Sequence, residues 1–121
     1  MNFIDGHLSE NGTIAFGGIH ARFDAFNAVR LREQDVILGI RPEYIRIEEN
    51  GVLDAMVKAT LPSGMETAVK LDFNGIPLTA VVFGDVDFPV NRKVKISFNK
   101  AAILFDKESG RNIARGTLTL L

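Results

Sequence analysis

Cysteine is absent from the 121 residues. That excludes a disulfide scaffold, thiolate zinc sites and thiol catalysis, and it fits a reducing compartment. An excess of charge of either sign is absent too: 14 basic residues face 15 acidic ones, for a net charge of −1. No strong field steers the chain to nucleic acid or to an anionic membrane. No apolar run approaches the roughly 20 residues needed to span a bilayer. The N-terminal stretch lacks the basic region and long apolar core of a secretory signal, so none is expected. Internal repeats, low-complexity runs and a Pro/Ser linker are missing as well. What is present is a globular composition, 46% hydrophobic. A chain of this size can bury a core without staples, and one domain over residues 1–121 is expected.

Turn chemistry organises the chain. Asn11-Gly12, Asn50-Gly51 and Asn74-Gly75 carry the pair that suits type I′ turns, and Gly17-Gly18 adds another such site. Both central residues of that turn need positive φ, which glycine and asparagine tolerate best. Between these points the apolar residues alternate. Leu53, Ala55, Val57, Ala59 and Leu61 interleave with Asp54, Met56, Lys58 and Thr60; Thr67, Val69, Leu71 and Phe73 with Glu66, Ala68, Lys70 and Asp72. Period two means strands with one buried face. Residues 76–83 are apolar on both faces and read as a central strand. Val94 to Phe98, Val36 to Ile40 and Ile45 to Ile47 give further strands, as do 3–8, 13–16, 19–23 and 102–105. Residues 24–34 read either as a turn of helix capped by Asp24 or as a loop. Residues 112–121 read either as a strand beside the N-terminal hairpin or as a disordered tail, the strand being favoured. Many short antiparallel strands mean an all-β barrel or sandwich; the pattern alone does not choose.

Catalytic signals are weak. Gly12 to Gly17 has the glycine spacing of a phosphate loop, but Gly18-Ile19 stand where a lysine and a hydroxyl residue are needed to meet phosphate and Mg²⁺. Hairpin turns explain those glycines better. His7 and His20 have no second ligand at fixed spacing, and a zinc site needs three or four donors. No serine lies in Gly-x-Ser-x-Gly. Glu48-Glu49 and Asp85/Asp87 read as solvated acids at turns, and Asp106 before Ser109-Gly110 as a carboxylate bonding backbone amides ahead of it. Lys93 and Lys95 share a strand face with Ser97, not with an aromatic, so no base-stacking platform emerges. The expectation is a chain that is not itself an enzyme, with no cofactor and no metal.

The most specific segment is Leu38-Gly39-Ile40-Arg41-Pro42-Glu43-Tyr44-Ile45. Pro42 forces Arg41 out of the helical region and removes one backbone donor, so strand, bend and strand are expected. The segment resembles the Gly-Ile-Arg-Pro-Glu-His signature of the transport-associated OB (TOBE) domain, the C-terminal accessory domain of ABC-importer ATPases of the maltose and glycerol-phosphate class. Met1-Asn2-Phe3-Ile4 is similar to the start of that domain. Leu61 to Thr67 is similar to its Leu-Gly-x-Glu-Thr turn, and Leu104 to Arg111 to its closing Leu-Phe-Asp-x-x-Thr-Gly. Ser63, Ile103 and Tyr44 depart from the residues common there.

The resemblance implies an OB-like antiparallel β-barrel with short extra strands from the termini. It also implies a non-catalytic, regulatory or dimerising piece of an ATPase, since both the phosphate loop and the Leu-Ser-Gly-Gly-Gln signature are missing here. Implied partners are its own ATPase domain, a second ATPase subunit in a homodimer and a regulatory protein, with no nucleic acid. Contact with the membrane would be indirect, through the importer permease. The implied location is the cytoplasmic face of the membrane, and the implied cargo a carbohydrate. Arg41, Pro42, Glu43, Gly64, Glu66 and Phe88 are the candidate motif and interface residues. Arg41 and Glu43 either bond groups across the barrel and at the bend or contact a partner. Gly64 reads as a turn glycine. Phe83, Val86, Phe88 and Val90 form an apolar loop-like stretch that either folds over the barrel mouth or meets a partner subunit. Two other classes stand beside this reading: a small oxyanion-binding OB-like module and an oligonucleotide-binding OB domain.

Overall fold

The structure, a computed structural model, describes residues 1–98 and 101–121. Its strands are β1 (Asn2–Leu8), β2 (Thr13–Phe16), β3 (Ile19–Ala25), β4 (Gln34–Ile40), β5 (Ile45–Ile47), β6 (Leu53–Pro62), β7 (Glu66–Phe73), β8 (Ile76–Phe83), β9 (Lys93–Phe98), β10 (Ala101–Asp106) and β11 (Asn112–Leu120). A 3₁₀ turn at Pro42–Tyr44 is the one helical element among the described residues. The all-β antiparallel architecture is the expected one. Its contacts gather into two compact units, residues 1–40 with the 101–121 segment, and residues 41–98.

The first unit is a closed barrel in the order β1-β2-β3-β11-β10-β4, with β4 returning to β1. The terminal strands, expected as additions to a barrel, are here the greater part of one. Alternation sets its interior: Ile4 and Leu8 of β1 point inward while Asp5 and His7 face out. Phe16, Phe23, Leu38 and Leu104 fill the core, and Ala21, Ala102 and Ala114 leave room for them. Gly17 and Gly18 both have positive φ and make the β2–β3 hairpin turn. Residues 26–33 are irregular, so the loop reading of 24–34 holds over the helical one. Asp24 caps no helix among the described residues; it lies in β3 opposite Thr117. Residues 112–120 form the strand beside the N-terminal hairpin.

The second unit is a sheet in the order β5-β9-β6-β7-β8. Asn74 (φ 51°) and Gly75 (φ 87°) form the expected turn between β7 and β8. Asn50-Gly51 does not. β5 and β6 lie on opposite sides of β9, and Ile47 and Leu53 both pair with Ile96. Residues 48–52 therefore cross over β9, held by Glu48 N–H to Lys95 C=O and Val52 N–H to Ile96 C=O, each 3.0 Å. A Cβ on Gly51 would stand 2.7 Å from the Ile96 backbone nitrogen. Close backbone approach, not positive φ, demands this glycine.

β8 is likewise not central: it is the edge of the hydrogen-bonded order. Pro77 carried the signal, because proline cannot donate to a second neighbour and is confined to edges. Leu78 and Ala80 of β8 enter the core, and the strand also lies close to β5 and the 3₁₀ turn.

Candidate functional site

The sequence landmarks converge only in part. Asn2 pairs with Ile40, Leu38 pairs with Leu104, and so the Met1–Ile4, Leu38–Ile40 and Leu104–Asp106 segments lie on neighbouring strands β1, β4 and β10. Asn2 is a buried polar residue whose Nδ2 donates to the Ile40 C=O at 3.2 Å. These landmarks hold the barrel closed. The Leu61–Thr67 landmark lies in the other unit, at the β6–β7 turn.

Arg41 sits at φ −66°, ψ 142°, the extended conformation that its proline neighbour requires, and Pro42 opens the 3₁₀ turn. The Arg41 side chain is exposed, and among the described residues it makes no hydrogen bond or ion pair. The bond across the barrel considered for it is therefore not what the structure shows. Glu43 is also exposed and, among the described residues, caps no amide. Gly64 has φ +92° in a turn closed by Ser63 N–H to Glu66 C=O at 2.9 Å, as expected of a turn glycine.

Glu43 and Glu66 are brought together with the two free strand edges. A cleft of about 350 Å³ is lined by both carboxylates, by Ile45 to Glu48 of and after β5, and by Val81 to Phe83 of β8. It lies between the outer strands β5 and β8 of the sheet order, lined by apolar side chains, by acids and by Arg46. Such an edge offers main-chain hydrogen bonding with little catalytic chemistry. Beside it lie the most exposed large apolar side chains of this unit, Phe83 (86%) and Met65 (84%). They are neighbours: Phe83 pairs with Glu66, and Gly84 N–H donates to Met65 C=O at 2.8 Å.

The stretch after β8 is anchored, not loose. Thr67, fully buried, donates its hydroxyl to Gly84 C=O at 2.7 Å and accepts from Val86 N–H at 3.1 Å. Thr60 Oγ1 donates to Phe88 C=O at 3.2 Å. Asn91 N–H donates to Val57 C=O at 2.7 Å, where the β6–β7 register shifts. Phe88 is half-buried. The role of Thr67 was readable but missed: period two puts it on the face of Val69, Leu71 and Phe73, and a buried hydroxyl needs partners.

Two polar clusters of the barrel unit bear on the reading. Asp106 Oδ2 accepts from Ser109 Oγ (2.6 Å) and Ser109 N–H (3.1 Å), which hold its carboxyl below the ordinary value. This is the expected turn chemistry. His7 is an exposed strand histidine, as expected, and it stands between two carboxylates, Asp35 at 2.9 Å and Glu33 at 3.1 Å. Only the β1–β4 register reveals it, since 28 and 26 residues separate the partners. Among the described residues no three metal-ligating side chains converge on a point, and no helix is long and apolar enough to cross a membrane.

Comparisons with known proteins agree with this geometry. The family model described as the MalK OB fold domain matches residues 1–45, and that of the TOBE domain matches residues 38–105. An uncharacterized ABC transporter ATP-binding protein, y4oS, of Sinorhizobium fredii is 35% identical over 81 residues, covering 66% of this chain and 22% of that protein. The trehalose/maltose import ATP-binding protein MalK of Thermococcus litoralis is 25% identical over 127 residues, covering 93% of this chain and 34% of that protein. The chain thus spans between 22% and 34% of the length of these relatives. With more than half of its residues matched by one family model, this chain belongs to the TOBE domain family.

Proposed function

We propose that this chain is a non-catalytic accessory domain of an ABC-importer ATP-binding subunit, working at the cytoplasmic face of the membrane in the uptake of a carbohydrate. The TOBE match over residues 38–105 carries the reading; the named substrate class of the Thermococcus relative, trehalose and maltose, supports the cargo. Its task is to bring two such subunits together and to receive a regulatory protein. The exposed Phe83–Met65 surface supports the first part, because adjacent large apolar side chains at a strand edge favour protein contact. Weak pairing by the isolated domain is consistent with this role, since ATPase domains linked to it supply effective concentration. Of the candidate residues Arg41, Pro42, Glu43, Gly64, Glu66 and Phe88, Glu43 and Glu66 line the adjacent cleft and support this reading.

Phe83, 86% exposed, is a better probe than the half-buried Phe88. Light scattering of the chain at high concentration should show a dimer that Phe83→Asp converts to monomer at an unchanged melting temperature. A wild-type chain that stays monomeric at every concentration overturns the pairing role. ATP titrated calorimetrically to millimolar levels should give no saturable heat; a micromolar dissociation constant overturns the non-catalytic reading.

A further inference from the structure

We propose that His7 is a pH-operated latch that fastens the 26–33 loop to the barrel wall. The latch stands on the placement of its ring. Nδ1 lies 2.9 Å from Asp35 Oδ1 and Nε2 lies 3.1 Å from Glu33 Oε2. Carboxylates only accept, and a neutral imidazole carries one N–H. Both contacts are hydrogen bonds only when the ring is the imidazolium, with a proton on each nitrogen. In the neutral form one nitrogen lone pair faces a carboxylate oxygen, and that arm of the latch is repulsive.

The two arms are not equivalent. Asp35 sits directly opposite His7 in the β1–β4 ladder, so its place is fixed by the barrel. Glu33 is the last residue before β4 and belongs to the loop. At the other end, Phe26 N–H is bonded to Arg115 C=O at 2.9 Å. Between these anchors, Arg30, Leu31 and Arg32 border a groove of about 590 Å³ with Glu10 and Glu33. Gln34, the next residue, is held in the ladder opposite Leu8, so releasing Glu33 removes the side-chain tie of the loop to the barrel wall and leaves both backbone anchors in place.

The surrounding charges favour the imidazolium. Asp35 faces it from β4 and Glu33 from the loop. Asp5 shares its face of β1 and is itself engaged by Lys107 at 3.6 Å. The β2 neighbour is uncharged Ala15, with His20 beyond it on β3. Glu10 and the loop's Arg30 and Arg32 border the adjoining groove. The hydrogen bonds to Asp35 and then Glu33 raise the His7 pKa above 6.5. A raised value fixes the sign: the latch is fully closed below about pH 6.5 and opens as the pH rises through the higher, folded-state value. The ring nitrogens point to opposite sides, so this trio does not hold one cation, in keeping with the absence of a converging donor set among the described residues.

Amide hydrogen exchange over residues 26–33, corrected for intrinsic rates, tests the proposal at pH 6.0 and 8.5. The loop should be several-fold more protected at pH 6.0. His7→Gln and, separately, Glu33→Gln should each abolish that difference, and His20→Gln should leave it intact. NMR titration of His7 should give a midpoint above 6.5 that falls in Glu33→Gln. A loop equally protected at both pH values, a difference that survives in His7→Gln, or a His7 midpoint at or below 6.5 overturns the latch.

Discussion

The six-stranded barrel and the five-stranded sheet dispose of strand edges in different ways. The barrel pairs every strand twice, and it does so through partners far apart in sequence: β1 with β4, β4 with β10, β3 with β11. The sheet mixes the two kinds of pairing: β6, β7 and β8 are joined by short turns, while β9 pairs with the distant β5 and β6. It leaves β5 and β8 each with one free edge. Closure costs more loop entropy and removes every template for association. The meander is cheaper and keeps an edge available. The exposed Phe83 and Met65 lie at that edge, whereas the barrel seals its interior completely around Leu38 and Leu104. The closed unit leaves no strand edge and the open one brings Phe83 and Met65 beside one, while exposed apolar side chains occur in both, Phe3 and Phe26 among those of the barrel.

Leu38 gives the largest test of that contrast. It is fully buried between β1 and β10, opposite Ile4 and Leu104. Leu38→Ala should cost about 2–5 kcal/mol, because a closed barrel cannot collapse onto the cavity. Denaturant unfolding measures the total, and hydrogen exchange assigns it to β1, β4 and β10. Protection lost equally from β7 and β8 would show that the two units share one core, and the contrast would fail.

Much of this was legible in the sequence, and the failures are local and physical. Alternation located the strands, and the Arg41-Pro42 bend and Gly64 turn followed from backbone sterics. Pairing partners were not legible, because period two gives a strand's faces but not its neighbours. So residues 48–52 read as a hairpin until Ile96 proved to lie between β5 and β6. Pro77 argues for an edge, but the reading of residues 76–83 as central rested on the apolar run alone. Within the candidate site, Glu43 and Glu66 were named from motif resemblance, but the edge that joins them is a product of topology. His7 with its two carboxylates depends on register alone.

The crossover and the anchored stretch sharpen the comparison on the open unit. Gly51→Ala places a Cβ 2.7 Å from backbone atoms of Ile96 and Lys95, which cannot rotate away. A loss of about 3 kcal/mol is expected, from overpacking against main chain, read as a lowered melting midpoint. An unchanged midpoint would mean that the 48–52 segment does not cross over β9. Thr67→Val keeps shape but removes the hydroxyl that serves Gly84 and Val86. Leaving those backbone groups without a partner should cost about 1–3 kcal/mol. The same variant should raise exchange at residues 84–88 and leave the barrel untouched. If exchange there is unaltered, the stretch is held by its apolar side chains and not by Thr67.

The smallest effect contrasts two hairpin turns, one in each unit. The β7–β8 turn rests on the positive φ of Asn74 and Gly75, so Gly75→Val should cost about 1–3 kcal/mol at every pH. The β10–β11 turn rests on a charge. Asp106 Oδ2 accepts both Ser109 donors, while Gly110 N–H bonds Asp106 C=O at 2.7 Å. These bonds lower the Asp106 pKa from 3.8. A depressed folded-state value makes the contribution fully present above about pH 3.8 and lost as the pH falls through the lower value. Ser109→Ala should therefore destabilise slightly and uniformly from pH 7 to 5, and the gap from wild type should close below pH 3.8. Thermal unfolding at pH 7, 5, 3.5 and 2.5 reads both variants side by side. A Ser109→Ala gap that persists undiminished at pH 2.5 would mean that the turn is held by the hydroxyl's other bond, to Arg111 N–H at 3.2 Å, and not by the carboxylate.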